Sequence, residues 1–320
     1  MKILITGGAG FIGSATAKAL MDRGDTVVLV DNFNDYYDPE LKEDRIKVFL
    51  KDYKKSFKLY RGDSRNLKFL EKVFQAERPQ KVLHLAAMAG VRYSLTNPGL
   101  YVDVNIVGTT NMLDMAVKHK VKNFVYASSS SVYGNSQKAK FSETDNVDAP
   151  ISPYAATKKA TELIAHVYSH IYKLPTTGLR FFTVYGPWGR PDMGVFKFIE
   201  NIILGKQIEI FNHGNMRRNF TYIDDIVSGT ITVLDADLSC EVMNIGGDRD
   251  EALMDYIQSV EKAAGKKAKT KMLPMQPGDV ERTVADIRKL RKLGWKPATR
   301  IEEGIENFVE WYRDYFKISN

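Results

Sequence analysis

Tyr154 and Lys158 stand four residues apart in Tyr154-Ala155-Ala156-Thr157-Lys158, a spacing that puts both side chains on one face of a helix. A phenol titrates near ~10 and is a poor base at neutral pH unless positive charge lowers that value. An ammonium one turn away supplies such a charge, so the pair suits taking a proton from a hydroxyl whose carbon gives up a hydride. Near the other end of the chain, Gly7-Gly8-Ala9-Gly10-Phe11-Ile12-Gly13 follows the apolar Ile3-Leu4-Ile5-Thr6. Glycine at 7 permits a tight turn, at 10 a close backbone approach to a pyrophosphate, and at 13 close packing of helix on strand. The helix that opens with Phe11 and Ile12 then presents its first-turn amides to the phosphates. A plain strand-to-helix turn is the alternative for the glycines alone.

Thr26-Val27-Val28-Leu29-Val30-Asp31 reads as the next strand and ends in a carboxylate eighteen residues past Gly13, where it can accept from the adenosine ribose hydroxyls. A 2′-phosphate would be repelled there. Asn32 and Phe33 follow instead of arginines, so the expected cofactor is NAD and not NADP. Asp63, after a third strand, is placed for an adenine contact. Leu85-Ala86-Ala87 uses small residues where backbone runs beside a cofactor. The run Ser128-Ser129-Ser130-Ser131 follows a fifth strand and brings hydroxyls to the carboxyl edge of the sheet. Ser129 is placed to share a proton with Tyr154; a serine-rich turn without chemistry is the alternative.

These residues need elements to position them. Strands are expected at Phe57 to Arg61, Lys81 to Leu85, Asn123 to Ala127 and Thr176 to Phe182. Helices are expected at Phe11 to Arg23, Leu67 to Glu77, Pro98 to His119 and Pro153 to Tyr172. That alternation predicts an α/β fold with a doubly wound, Rossmann-type parallel sheet. After Phe182 the rhythm changes to a smaller C-terminal lobe, with a short strand near Ile208 to Phe211 and helices near Asp250 to Ala264 and Ile301 to Phe316. The expected division is 1–182 for the dinucleotide and 183–320 for the substrate, with a return to the first lobe near 219–240.

With 320 residues, 44% hydrophobic and 27% charged, the chain is an ordinary globular one able to bury a large core. No apolar stretch reaches the ~18 residues of a membrane span, and Met1-Lys2 leads straight into the first strand without room for a signal peptide. A cytoplasmic setting is expected, in keeping with the single Cys240. The net charge of +7 is scattered over Lys51 to Lys58, Lys266 to Lys271 and Arg288 to Lys292, read as solvated helix ends or loops. That argues against nucleic acid and suits attraction of a phosphate-bearing small molecule. His166 and His170 have helical spacing but no third ligand, so no metal is expected.

Gly7 to Gly13, Asp31, the serines before Val132-Tyr133-Gly134 and Tyr154 to Lys158 together resemble the extended short-chain dehydrogenase/reductases acting on nucleotide sugars, over nearly the whole chain. The resemblance implies that a tightly held NAD oxidises the sugar at C4. It makes Tyr154 the catalytic base, Lys158 the ligand of the nicotinamide ribose and Ser129 the hydroxyl partner of Tyr154. Asn105 matches a supporting position near the cofactor.

Members of that family that eliminate water carry Asp-Glu just before the Val-Tyr-Gly triplet, and decarboxylating members carry Glu; here stand Ser130 and Ser131. Without those acids the 4-ketone has one cheap fate, return of the hydride to either face, which is C4 epimerisation. The stretch Leu179 to Met193 is similar to UDP-glucuronate 4-epimerases, whereas UDP-glucose epimerases usually have Asn where Thr183 stands. Thr183, the serine run and Arg190 can hold a C5 carboxylate, since arginine matches carboxylate geometry bidentately. A solvated loop residue is the alternative for Arg190. The resemblance carries Arg218 to the phosphates, Val195 and Phe196 to the uracil pocket, and Gln276 and Asp279 to the uridine region; Arg92, just past the fourth strand, is placed to contact the substrate. Tyr101 and Phe211 are expected in the core.

The reaction expected is conversion of UDP-glucuronate to UDP-galacturonate. UDP-glucose or UDP-N-acetylglucosamine epimerisation is the alternative within enzymes, and a redox-inactive NAD-fold sensor is the alternative outside them. The resemblance also implies a homodimer through the helices from Pro98 and Pro153.

Overall fold

The structure is a computed structural model and describes residues 1–236, 238–276 and 281–318. Short apolar runs form strands β1 (Lys2–Thr6), β2 (Thr26–Asp31), β3 (Phe57–Arg61), β4 (Lys81–His84), β5 (Asn123–Ser129) and β6 (Thr176–Phe181). With Cys240–Ile245 at one edge they make a seven-stranded sheet in the order Cys240–Ile245, β6, β5, β4, β1, β2, β3. Every neighbouring pair is parallel. Side chains alternate across a strand, so Ile3 and Ile5 join one apolar core while Leu4 joins a second on the opposite face. Burial on both faces is why these strands read as continuous apolar runs.

The chain winds outward from β1 to β3, then crosses back to β4 beside β1. The crevice beyond the carboxyl ends of the strands at such a reversal is where ligands bind in open α/β sheets. The glycine turn leads into helix α1 (Phe11–Asp22), which packs against the returning helix Ile223–Asp235. Thr183–Tyr185 pairs in parallel with Phe220–Tyr222. Beyond it, Gly194–Ile203, Leu253–Ala264 and Ile301–Phe316 share an aromatic core in which Phe196 packs on Phe308, Trp311 and Tyr312. Among the described residues no helix is long and apolar enough to cross a membrane.

Three local expectations are corrected. β5 runs past Ala127 because Ser128 and Ser129 continue to pair with Arg180 and Phe181. Lys269–Met272 is a strand paired with Gln207–Ile210 and not a loop, although its side chains are solvated. The expected helix from Pro98 to His119 is interrupted: Pro98–Tyr101 and Gly108–Lys118 flank a wide π-type segment, Val102–Val107. That widening accompanies the inward side chain of Asn105, and π segments of this kind occur often at functional sites.

Candidate active site

A cleft of about 810 Å³ opens over the carboxyl ends of β1, β2, β4 and β5, within the ~300–1,000 Å³ range of small-molecule and cofactor sites. Its floor is the glycine turn. Gly7 has φ +67° and lies so close to the Leu85-Ala86 backbone that a Cβ there would meet the Ala86 nitrogen at 2.9 Å. A Cβ on Gly13 would meet the Gly7 carbonyl oxygen at 2.1 Å. Gly10 caps α1 without a side-chain bond, so Gly10, Phe11, Ile12 and Gly13 turn the first-turn amides toward the cleft. Asp31 Oδ2 accepts from the Ala9 amide at 3.0 Å and Oδ1 from the Phe33 amide at 2.9 Å, leaving lone pairs for ribose hydroxyls. Asp63, whose pKa the Arg65 hydrogen bond first of all holds down to about 2, also accepts from Asn32. Leu85, Ala86 and Ala87 form the facing wall. These residues fit NAD.

A buried chain of donors fixes that wall. Burial pushes His84 down to about 3, so its ring is neutral and only one nitrogen carries a proton. Thr109 Oγ1 donates to the Asn105 carbonyl, so it accepts from His84 Nε2; His84 Nδ1 then accepts from Thr6 Oγ1, which accepts from the Ala86 amide. Asn105 itself does not line the cleft. Its amide bonds the backbone of Met88 and the hydroxyl of Thr157, tying the loop after β4 to the helix Pro153–Tyr172. The expectation of cofactor contact is thereby corrected: Asn105 braces the wall from behind.

Ser152 caps that helix through the Ala155 amide, which aims Tyr154 and Lys158 together into the cleft. Tyr154 and Ser129 both line the cleft, and the Tyr154 ring meets Tyr101 edge-on at 6.0 Å. Burial raises the Tyr154 pKa, while the Ser129 hydrogen bond and the charge of Arg190 pull it back. Lys158 donates to the Ala127 carbonyl at 2.7 Å. Burial pushes it down to about 7, and the charge of Glu162 works in the opposite direction. Glu162 lies in a dry network, accepting from Ser128 Oγ at 2.6 Å and from both sides of the Arg180 fork at 2.8 Å. Ser129 Oγ also takes the Ser131 amide, which holds the serine turn in place.

The profile of the GDP-mannose 4,6 dehydratase family matches residues 4–308. The chain belongs to that family.

Relatives within the GDP-mannose 4,6 dehydratase family carry more specific names. The chain is 47% identical to protein CapI of Staphylococcus aureus, over 99% of this chain and 100% of that one. It is 45% identical to a probable UDP-glucuronate 4-epimerase of Rhizobium meliloti, over 99% and 98%. Its fold matches the UDP-glucuronic acid 4-epimerase of Bacillus cereus, solved with UDP-glucuronic acid and NAD, with a TM-score of 0.92, 36% identity and coverage of 98% and 100%.

In this GDP-mannose 4,6 dehydratase family member the far end of the cleft gathers Arg92, Ser130, Ser131, Thr183, Arg190, Val195, Arg218 and Gln276. Arg218 bonds the Arg217 and Glu281 carbonyls. Asp279 lies outside the described residues. Phe196 is corrected: next to Val195 on a helix it is rotated by ~100° and buried in the aromatic core, so only Val195 meets the cleft. Phe211, expected in the core, instead lines the cleft beneath the Arg92 guanidinium, 5.0 Å from the ring centre. Tyr101 is fully buried, as expected.

The segment after β2 holds residues that spacing and composition did not single out. Arg45 is fully buried and donates to the carbonyls of Ala9, Trp188 and Gly189, clamping the glycine turn to the loop that carries Arg190. Those bonds hold Trp188 at φ +63°, a left-handed conformation that costs a bulky residue ~1–3 kcal/mol. Lys42 is buried beside the cleft and donates to the Asn34 side chain at 2.8 Å. The clue was a chain carrying Arg and Lys among Tyr36, Tyr37 and Leu41, where charge normally signals a solvated face.

Proposed function

We propose that the protein converts UDP-glucuronate to UDP-galacturonate by NAD-dependent epimerisation at C4. The observation that carries this reading is one cleft holding Ser129, Tyr154 and Lys158 together with Thr183 and Arg190, with serines and no acid at 130 and 131. Bound NAD supplies the acceptor and later the donor of the C4 hydride. Tyr154 takes the C4 hydroxyl proton, Ser129 beside it in the cleft shares that proton, and Lys158 supplies a positive charge to the nascent phenolate. The proton returns to the C4 oxygen when the opposite face of the ketone is reduced. Arg218 and Gln276 hold the nucleotide end, and Thr183, Ser131 and Arg190 hold the C5 carboxylate. That grip matters because a 4-keto uronate is a β-keto acid prone to losing carbon dioxide. The same reading assigns 1–182 to NAD and 183–320 to the UDP-sugar, interleaved near 219–240. Cys240 as the single cysteine supports a cytoplasmic setting.

The test is incubation of the purified protein with UDP-glucuronate, first without and then with added NAD, following the anomeric and H4 protons by NMR. UDP-galacturonate is the expected product. UDP-xylose or a 4-keto pentose would mean decarboxylation, and turnover of UDP-glucose alone would transfer the reading to a neutral-sugar epimerase.

The same helix that carries Tyr154 supports a homodimer. Leu163, Val167 and Ile171 recur every fourth residue and are 55%, 47% and 58% exposed, beside exposed Val102 and Val107 on the preceding helical segment. An apolar stripe of this kind on a soluble helix marks a contact surface. Sedimentation should show a dimer for the wild type and a monomer for Val167→Glu, with the fold retained by circular dichroism.

A further inference from the structure

Arg190 reaches the cleft already engaged. Its Nε donates to Asp192 Oδ1 at 3.0 Å and its Nη2 donates to Asp192 Oδ2. The pair is only about a fifth exposed, at 22% and 23%. Burial first, and then the nearby Asp192 carboxylate, raise the pKa of the Tyr36 hydroxyl, and the Tyr36 ring lies 5.9 Å from the Arg190 guanidinium carbon and 5.1 Å from Tyr93. All four residues line the cleft. Tyr36 belongs to the segment that begins at Asp31, and Asp192 to the loop after Thr183–Tyr185. The contact therefore joins the ribose end of the cleft to the sugar end.

A guanidinium has five N–H donors in a rigid plane. Asp192 uses the Nε–Nη2 edge, so the edge formed by Nη1 and the second Nη2 proton is the one available to an oxyanion in the cleft. Asp192 also cancels the charge of Arg190, so a second carboxylate is selected by the direction of those donors and not by an unneutralised positive field.

We propose that Asp192, beside Tyr36, is a positioning residue that fixes the Arg190 edge shown to the sugar carboxylate and so sets selectivity for an acidic over a neutral UDP-hexose. The inference rests on the uronate reading above. It also gives Asp192 a part in protecting the ketone. Loss of carbon dioxide breaks the C5–C6 bond and moves its electron pair into an enolate at C4–C5. C5 then takes a proton from water, and the two electrons removed at C4 stay with the cofactor as NADH. Negative charge leaves the carboxylate in that step, so a carboxylate firmly held by Arg190 resists it.

The test measures dissociation constants of UDP-glucuronate and UDP-glucose by calorimetry on NAD-loaded protein in a Tyr154→Phe background, which prevents turnover. Adding Asp192→Asn should weaken UDP-glucuronate by about 10- to 100-fold and leave UDP-glucose within about 2-fold. Tyr36→Phe should act in the same direction by a smaller factor, and Asp192→Glu should restore part of the loss. With Tyr154 present, Asp192→Asn should raise the fraction of 4-keto pentose and carbon dioxide relative to UDP-galacturonate. Equal losses for both sugars would reduce Asp192 to a structural role and overturn the proposal. Tighter UDP-glucuronate binding would also overturn it, by making Asp192 a competitor of the substrate. Failure of the reaction itself would show separately, as a protein that prefers UDP-glucuronate in binding but gives no epimer with Tyr154 intact.

Discussion

Tyr154→Phe should lower turnover of UDP-glucuronate by about 10²- to 10⁴-fold while the protein still binds the nucleotide sugar, because proton transfer by a positioned side chain contributes about that much. The substitution removes one oxygen and keeps the ring, whose edge contact with Tyr101 holds it in place. The deleted oxygen is the one whose pKa Ser129 and Arg190 act to lower. Burial raises the pKa of the phenol, which is why the charge of Arg190, which lowers it, matters to its use as a base. Initial rates by NMR, with calorimetry for binding, decide the matter. A variant that epimerises at the wild-type rate would remove the phenol from the mechanism.

The second large effect is expected behind the site, at Glu162. Glu162 and Arg180 form an ion pair with 4% and 3% exposure, sealed by Ser128 and by the Tyr133 hydroxyl on Arg180. Removing one member of a buried pair strands the other charge and costs about 3–5 kcal/mol. Glu162→Ala should therefore lower the melting temperature by about 5–10 °C. Replacing both residues together, as Glu162→Leu with Arg180→Met, should recover much of that loss, since an apolar pair of similar volume carries no stranded charge.

Glu162→Ala also has a consequence for pH. Lys158 is pushed down to about 7 by burial, and Glu162 opposes that shift. Without Glu162 the Lys158 pKa falls further, and the ammonium is lost at a lower pH. Activity that needs the cation is present below this pKa and fades above it, so the alkaline limb of the pH–rate profile should move to lower pH. The stability side runs the other way with pH. The unfolded chain binds the Lys158 proton up to its ordinary value of 10.5, so the cofactor-free protein gains stability as pH rises from about 7 toward that value. Lys158→Met should flatten that part of the curve. An unmoved alkaline limb in Glu162→Ala would mean that another group sets it.

How much was legible in the sequence follows from how far apart the deciding groups lie. Gly7, Gly10 and Gly13 sit within one turn: Gly10 and Gly13 face the Gly7 carbonyl and Gly7 has a positive φ, all local demands, even though Gly7 also lies against the distant Leu85-Ala86 backbone. Tyr154 and Lys158 share one helix, so their common face follows from the helical period alone. Asn105 is different. The wide turn around it depends on Met88 and on Thr157, 17 and 52 residues away, and nothing local announces it. Phe196 was assigned by its neighbourhood to Val195, but one step along a helix turns the side chain by ~100°, enough to take the ring from the cleft into the core. Arg45 and Lys42 contradict the expectation that charge lies in water. The carbonyls that satisfy Arg45 belong in part to Trp188 and Gly189, 143 and 144 residues on.

The sequence by itself determined the parallel α/β architecture, the glycine turn and the shared helix face of Tyr154 and Lys158, because each rests on hydrophobic period or on spacing within a few residues. Only the tertiary structure decided which charged groups are dry and with whom they pair: Arg45 with distant carbonyls, Glu162 with Arg180, and Arg190 with Asp192 and Tyr36. The reason is physical. Desolvation and ion pairing depend on what folding carries to within a few ångströms, and those energies move the titration of Tyr154 and Lys158 and orient Arg190 in the cleft.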